Sequence, residues 1–128
     1  MDLKELLLKD LSARLPYGVI VNIEYSKEHG SSYRLRVCSE GDLKLNTDLL
    51  GLFIQEEIYL KPYLRSMSSM TEEEKEEYQA FFNYDGVEYP EEYIDWLNAH
   101  HFDYRGLIEK ELAIEAPEGM YDVLSWNK

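Results

Sequence analysis

Pro16-Tyr17-Gly18-Val19-Ile20-Val21-Asn22-Ile23-Glu24-Tyr25 is the stretch where the period of the chain changes. Upstream of it, Leu3, Leu7, Leu11 and Leu15 recur at helical spacing, with Leu6 beside them. Lys4, Glu5, Lys9 and Asp10 fill much of the other face. This spacing predicts an amphipathic helix of about three turns. Pro16 ends it, because the residue before a proline is pushed out of the α region. Inside the stretch, Val19, Val21, Ile23 and Tyr25 alternate, and β-branched and aromatic residues at that period predict a strand.

Working outward, Ser26-Lys27-Glu28-His29-Gly30-Ser31 reads as a turn. Tyr33, Leu35 and Val37 then alternate with Ser32, Arg34 and Arg36, which predicts a second strand with one polar face. Glu40-Gly41-Asp42 is a further turn, and Leu43-Lys44-Leu45-Asn46 begins a third strand. Residues 49–60 read as a strand ending in Ile58-Tyr59-Leu60. Residues 61–70 form a joint, broken by Pro62 and by Ser66-Met67-Ser68-Ser69-Met70. Thr71-Glu72-Glu73-Glu74 matches a capping box opening a helix that runs to about Phe82. Pro90 starts the next helix, whose buried stripe is Tyr93, Ile94 and Leu97, with Trp96 at its edge. That helix fades near His100 or His101. Asp103 is placed to cap a last helix carrying Leu107, Ile108 and Leu112, closed by Pro117-Glu118-Gly119. The tail is expected to hold a short strand at Tyr121-Asp122-Val123-Leu124.

The class predicted is α+β: an N-terminal helix, a small antiparallel sheet or partial SH3-like barrel, then two or three C-terminal helices. One domain is expected over 1–128, with the helix and strands in 1–62 and the helical part in 71–115. At 128 residues and 45% hydrophobic content the chain can bury a core without disulfide or metal staples. Cys38 is the single cysteine, so no intramolecular disulfide can form, and it reads as an inert strand thiol. The N-terminus is charged from Asp2 and shows no signal-peptide pattern, and no apolar run approaches the roughly 20 residues needed to span a bilayer. A cytoplasmic protein with no membrane partner is expected.

The net charge is −13, and it is uneven. Residues 1–64 hold ten acids against eight bases, whereas residues 65–128 hold sixteen against five. Such a surface repels phosphate backbones, so direct nucleic-acid binding is disfavoured and a basic protein partner is favoured. The ordinary alternative is that the charge serves solubility alone.

The densest polar group is Asn98-Ala99-His100-His101-Phe102-Asp103-Tyr104-Arg105. His100, His101 and Asp103 are the candidate metal ligands or acid–base residues. Against that, neighbours on a helix point about 100° apart, and the i, i+4 pairing of zinc helices is absent. The alternative is a helix corner in which histidine caps carbonyls, Asp103 caps the next helix and Arg105 pairs with a carboxylate. Candidate interaction residues are Glu72, Glu73, Glu76 and Glu77, with Glu91, Glu92, Tyr104 and Arg105. Tyrosine, eleven in 128, suits either an interface or a core padded with amphipathic rings. Glycine-rich phosphate loops, the G-x-S-x-G elbow and C-x-x-C are all missing. No catalytic residue and no cofactor is assigned.

Tyr63-Leu64-Arg65-Ser66-Met67-Ser68-Ser69-Met70-Thr71-Glu72-Glu73-Glu74 resembles a segment of small uncharacterised proteins of gut Bacteroides and of their phages or mobile elements. So does Trp96-Leu97-Asn98-Ala99-His100-His101-Phe102-Asp103-Tyr104-Arg105-Gly106-Leu107-Ile108-Glu109-Lys110. The usual form of the resembled segment has Pro at the place of Ser66 and Gly at that of Glu111. The resemblance covers roughly the last half of the chain. It implies a short accessory protein of bacterial or phage origin and carries over no activity and no site residue. Three readings follow. The first is a non-enzymatic interaction protein using its acidic, tyrosine-rich second half. The second is an acidic nucleic-acid mimic that inhibits a host enzyme. The third is a small metal-dependent or acid–base enzyme centred on His100, His101 and Asp103.

Overall fold

The computed structural model describes residues 2–25, 41–81 and 90–121. Helix α1 (Leu3–Arg14) starts where the Asp2 carboxylate accepts the Glu5 amide at 2.8 Å. This satisfies an orphan N–H and places negative charge at the positive helix end. Leu7 and Leu11 are buried. Pro16 lies in the short 3-10 turn Leu15–Tyr17 that follows, and Gly18 closes that turn at φ 72. The polar face departs from the sequence reading: Asp10, expected among the exposed charges, is fully buried, and so is Arg14.

Four strands are described: β1 (Ile20–Tyr25), β2 (Gly41–Lys44), β3 (Ile58–Leu64) and β4 (Ile114–Glu115), in the order β2-β1-β3-β4. β1 is antiparallel to β2 and β3, whereas β4 runs parallel to β3. The sheet is therefore mixed and not purely antiparallel. A parallel neighbour needs a long crossover, and residues 65–113 supply it. Among the described residues the strands form an open row with no pairing that closes a barrel. The strand expected around Tyr33, Leu35 and Val37, and Cys38 after it, lie outside the described residues.

The sheet buries one face under α1 and α2. Val21 and Ile23 of β1 join Ile58, Leu60 and Leu64 of β3 against Leu7, Leu11, Leu49 and Phe53. Each such side chain contributes about 1.5–3 kcal/mol relative to exposure. Leu107 and Ala113, from the second half, complete the same cluster.

Two expectations fail between β2 and α3. Residues 47–54 form helix α2 (Thr47–Ile54), not the start of a strand. Asn46 accepts the Leu49 amide at 2.8 Å, and the two residues α2 buries, Leu49 and Phe53, stand four apart. A cap plus a helical period outweighs the β-favouring composition. Beyond it, β3 runs through Pro62, which the sequence reading takes as a breaker. Proline is tolerated there because Pro62 pairs with Val21 and the parallel partner β4 begins only at Tyr63.

Helix α3 (Glu72–Ala80) opens on the predicted capping box, with Thr71 Oγ1 accepting the Glu74 amide at 3.1 Å and Glu74 Oε1 accepting the Thr71 amide at 2.9 Å. Helix α4 (Pro90–Ala99) begins at the expected proline. Among the described residues no helix is long and apolar enough to cross a membrane.

Among the described residues, three other than glycine have left-handed backbones: Glu56 (φ 64), His101 (φ 65) and Glu111 (φ 62). All three sit in the same cap. At the end of α4, His101 N–H donates to Asn98 O and Phe102 N–H to Leu97 O. Glu56 and Glu57 repeat the pattern on Phe53 and Leu52, and Glu111 and Leu112 repeat it on Ile108 and Leu107. Glycine is the usual occupant of that position. The third cap also corrects the last predicted helix: residues 107–111 are only a run of turns. The sequence reading does place Asp103 correctly, for its carboxylate accepts the Leu107 and Ile108 amides at 2.9 and 3.0 Å.

Tyr121 lies in a turn, not in a strand, and residues 122–124 are outside the described part. Its hydroxyl accepts the Ile20 amide at 2.8 Å and donates to Tyr63 O at 2.7 Å. Ile20 and Tyr63 are the next pair expected after Val21 and Pro62 in the β1–β3 ladder. The phenol therefore relays a strand hydrogen bond at the point where the two strands part.

Candidate functional site

The corner after α4 distributes its side chains in three directions. His100 Nδ1 lies 3.2 Å from Glu74 Oε2, and its ring sits 4.3 Å from that of Trp96. His101 turns inward on its left-handed backbone and stacks on Tyr121 at 3.7 Å. Burial, and then the positive charge of Arg14, push His101 down to about 3, so the imidazole is neutral. Asp103 is taken up by two backbone amides. The three candidate ligands therefore do not converge. Among the described residues no group of three His, Cys, Asp or Glu side chains is placed to hold a metal ion.

Tyr104 and Arg105 belong to a network of which the sequence anticipates only the pairing of Arg105 with a carboxylate. Arg14 Nε donates to Asp10 Oδ2 at 2.7 Å, and Arg14 Nη2 donates to Phe102 O at 2.7 Å. Arg105 Nε donates to the other oxygen of Asp10 at 3.0 Å and Arg105 Nη2 to Tyr104 Oη at 3.1 Å. The Tyr104 hydroxyl donates to Asn98 Oδ1 at 2.9 Å. One buried carboxylate thus bridges two guanidinium groups and ties α1 to the corner. The signal for it lies in the helix period: Leu7, Leu11 and Arg14 continue one stripe at i, i+4, i+7, and Asp10 stands one turn before Arg14.

A second cluster clamps α3. Arg65 makes two 2.7 Å bonds to Glu74, one to each oxygen, and its guanidinium lies 4.2 Å from the centre of the Phe102 ring. Fork-shaped pairing of this kind is directional as well as strong. The Arg65 hydrogen bonds hold Glu74 down at about 2, despite partial burial acting the other way. Trp96 completes the support, stacking with Tyr78 at 5.8 Å and Phe102 at 5.7 Å and meeting Phe81 edge-on at 6.3 Å.

Held this way, α3 buries none of its nine residues. Glu72, Glu73, Glu76 and Glu77 are all exposed. Glu72 meets Lys75 at 3.4 Å and Glu77 accepts the Trp96 indole N–H at 3.1 Å. Glu92 and Asp95 are exposed on α4. Glu91 lies in the first turn of α4, and its side chain is outside the described part.

No protein-family model matches the chain, and no curated protein or solved structure matches it either.

Proposed function

We propose that the chain is a non-enzymatic interaction protein that presents the acidic face of α3 to a basic protein partner. One observation carries the reading. α3 adds no buried residue to the core, yet it is fixed in place by the Arg65–Glu74 fork and by stacking on Trp96. Four exposed carboxylates on nine residues repel one another and so work against a compact fold. Fixing such a helix is useful when its charges face a partner, because a preorganised surface loses less entropy on binding. Complementary charge also speeds encounter and selects among partners. The accessory role and the bacterial or phage setting implied by the resemblance belong to the same proposal.

The test is charge reversal of Glu72, Glu73, Glu76 and Glu77 to lysine. The partner retained by the tagged protein at low salt is lost, and the far-ultraviolet circular dichroism is unchanged. A partner retained equally by the reversed variant overturns the reading.

A nucleic-acid-mimic role has one observation in its favour. Glu72 and Glu76, and likewise Glu73 and Glu77, form two short rows with about 6 Å of rise between members. That reading requires DNA to displace the chain from its partner.

A further inference from the structure

The sheet ends at β4, and its outer edge is open among the described residues. Ala116 N–H donates to Leu64 O at 2.7 Å. Successive residues of a strand direct their backbone groups to opposite sides. The N–H and C=O of Glu115 therefore turn away from β3, and they meet no hydrogen-bond partner among the described residues. Glu115 lines a cleft of about 570 Å³. Its lining includes Arg65, Ser69 and Glu74 from the segment after β3, and Glu115, Glu118 and Tyr121 from β4 and the segment after it. The volume falls in the range of roughly 300–1,000 Å³ typical of ligand sites.

The charges in the cleft are unequal in availability. Arg65, the one cation among the described residues that line it, is already bound to Glu74 through both oxygens. Glu115 and Glu118 are exposed, and neither makes an ion pair among the described residues. An open strand edge is a template for another strand, and unpaired carboxylates beside it select cations.

We propose that this cleft seats an extended basic segment of the protein partner, which pairs with the N–H and C=O of Glu115 and sets lysine or arginine side chains against Glu115 and Glu118. The proposal rests on the interaction reading above and adds the partner's conformation and its seat. β4 is two residues long, so backbone pairing is brief and the ionic contacts supply much of the selectivity. Nucleic acid is turned away by the same carboxylates.

The experiment is a nitrogen-15 NMR titration of the full chain with a short peptide of alternating lysine and valine, and with its glutamate–valine counterpart. The lysine peptide shifts the Glu115 amide and slows its solvent exchange, and the effect fades at high salt. Glu115→Gln with Glu118→Gln weakens binding several-fold, as expected for the loss of two exposed ion pairs. Equal binding of the glutamate peptide, a Glu115 amide that stays unmoved, or unchanged affinity in the double variant overturns the proposal. The two readings separate cleanly. A partner lost on charge reversal of α3, with Glu115 silent to the peptide, keeps the interaction reading and removes the cleft.

Discussion

Replacing Asp10 by alanine should be among the most damaging single changes in this chain. Asp10 and Arg14 are fully buried, and Asp10 is the carboxylate shared by Arg14 and Arg105. Without it, Arg14 keeps its bond to Phe102 O, but its charge is left in the interior uncompensated. Its Nη1 already has no partner among the described residues, so nothing nearby takes over. Arg105, whose side chain is 19% exposed, can turn toward water and loses less. Breaking a buried pair by removing one partner costs about 3–5 kcal/mol, against a total stability of roughly 5–15 kcal/mol. Asp10→Ala should therefore lower the urea midpoint strongly, with the denaturant slope little changed. The contrast is a double variant, Asp10→Leu with Arg14→Met, which removes both charges and fills the space with apolar side chains. It leaves Phe102 O without a donor, a loss of about 1–3 kcal/mol, so it should cost less than Asp10→Ala alone. Urea unfolding followed by tryptophan fluorescence measures both. An Asp10→Ala loss below about 1 kcal/mol, the worth of an exposed pair, would refute the argument. So would a double variant less stable than the single one.

Tyr121→Phe keeps the ring on His101 but removes the hydroxyl relay, leaving the buried Ile20 N–H unsatisfied at a cost of about 1–3 kcal/mol; hydrogen exchange should show the Ile20 amide losing protection, and unchanged protection contradicts the relay. Glu111→Gly should stabilise by up to about 1 kcal/mol in thermal unfolding, the left-handed strain relieved less the glycine entropy lost; His101→Gly, which forfeits the Tyr121 stack, should not. Stability should fall on acidification through two groups whose folded-state values are depressed, because the unfolded chain then binds more protons. His101 contributes fully above 6.5 and loses its contribution as pH drops toward about 3, and Glu74 loses its own between 4.5 and about 2. The nontitrating His101→Asn should flatten the upper part of that window in stability measured against pH, and a wild-type slope in the variant counts against the buried neutral imidazole.

Local signals read well along this chain. The leucine period of α1, the alternation of β1, the Thr71–Glu74 box and Pro90 at the head of α4 are each decided within a few residues, and each appears in the structure. The corner at residues 98–105 also reads correctly in part: Asp103 accepts backbone amides and Arg105 pairs with a carboxylate. The reading fails where two local tendencies compete. Residues 49–54 are apolar enough for a strand, and the short cap at Asn46 with a four-residue period makes them a helix. It fails again where a cap uses a residue that does not announce it, as Glu56, His101 and Glu111 do in positions suited to glycine.

The sequence by itself determined the α+β class, the positions of most helix starts and the acidic bias of the second half, because capping, periodicity and charge act between near neighbours. Tertiary structure alone decided the rest. It made β4 a parallel partner of β3 across a long crossover and buried Asp10 between Arg14 and Arg105. It set Tyr121 between two strands that it reaches at Ile20 and Tyr63, 101 and 58 residues away in sequence. It sent His100 to Glu74 and His101 to Tyr121, although the two are adjacent. Each of these joins groups far apart in the chain, and their worth depends on burial, which no single segment carries in its own composition.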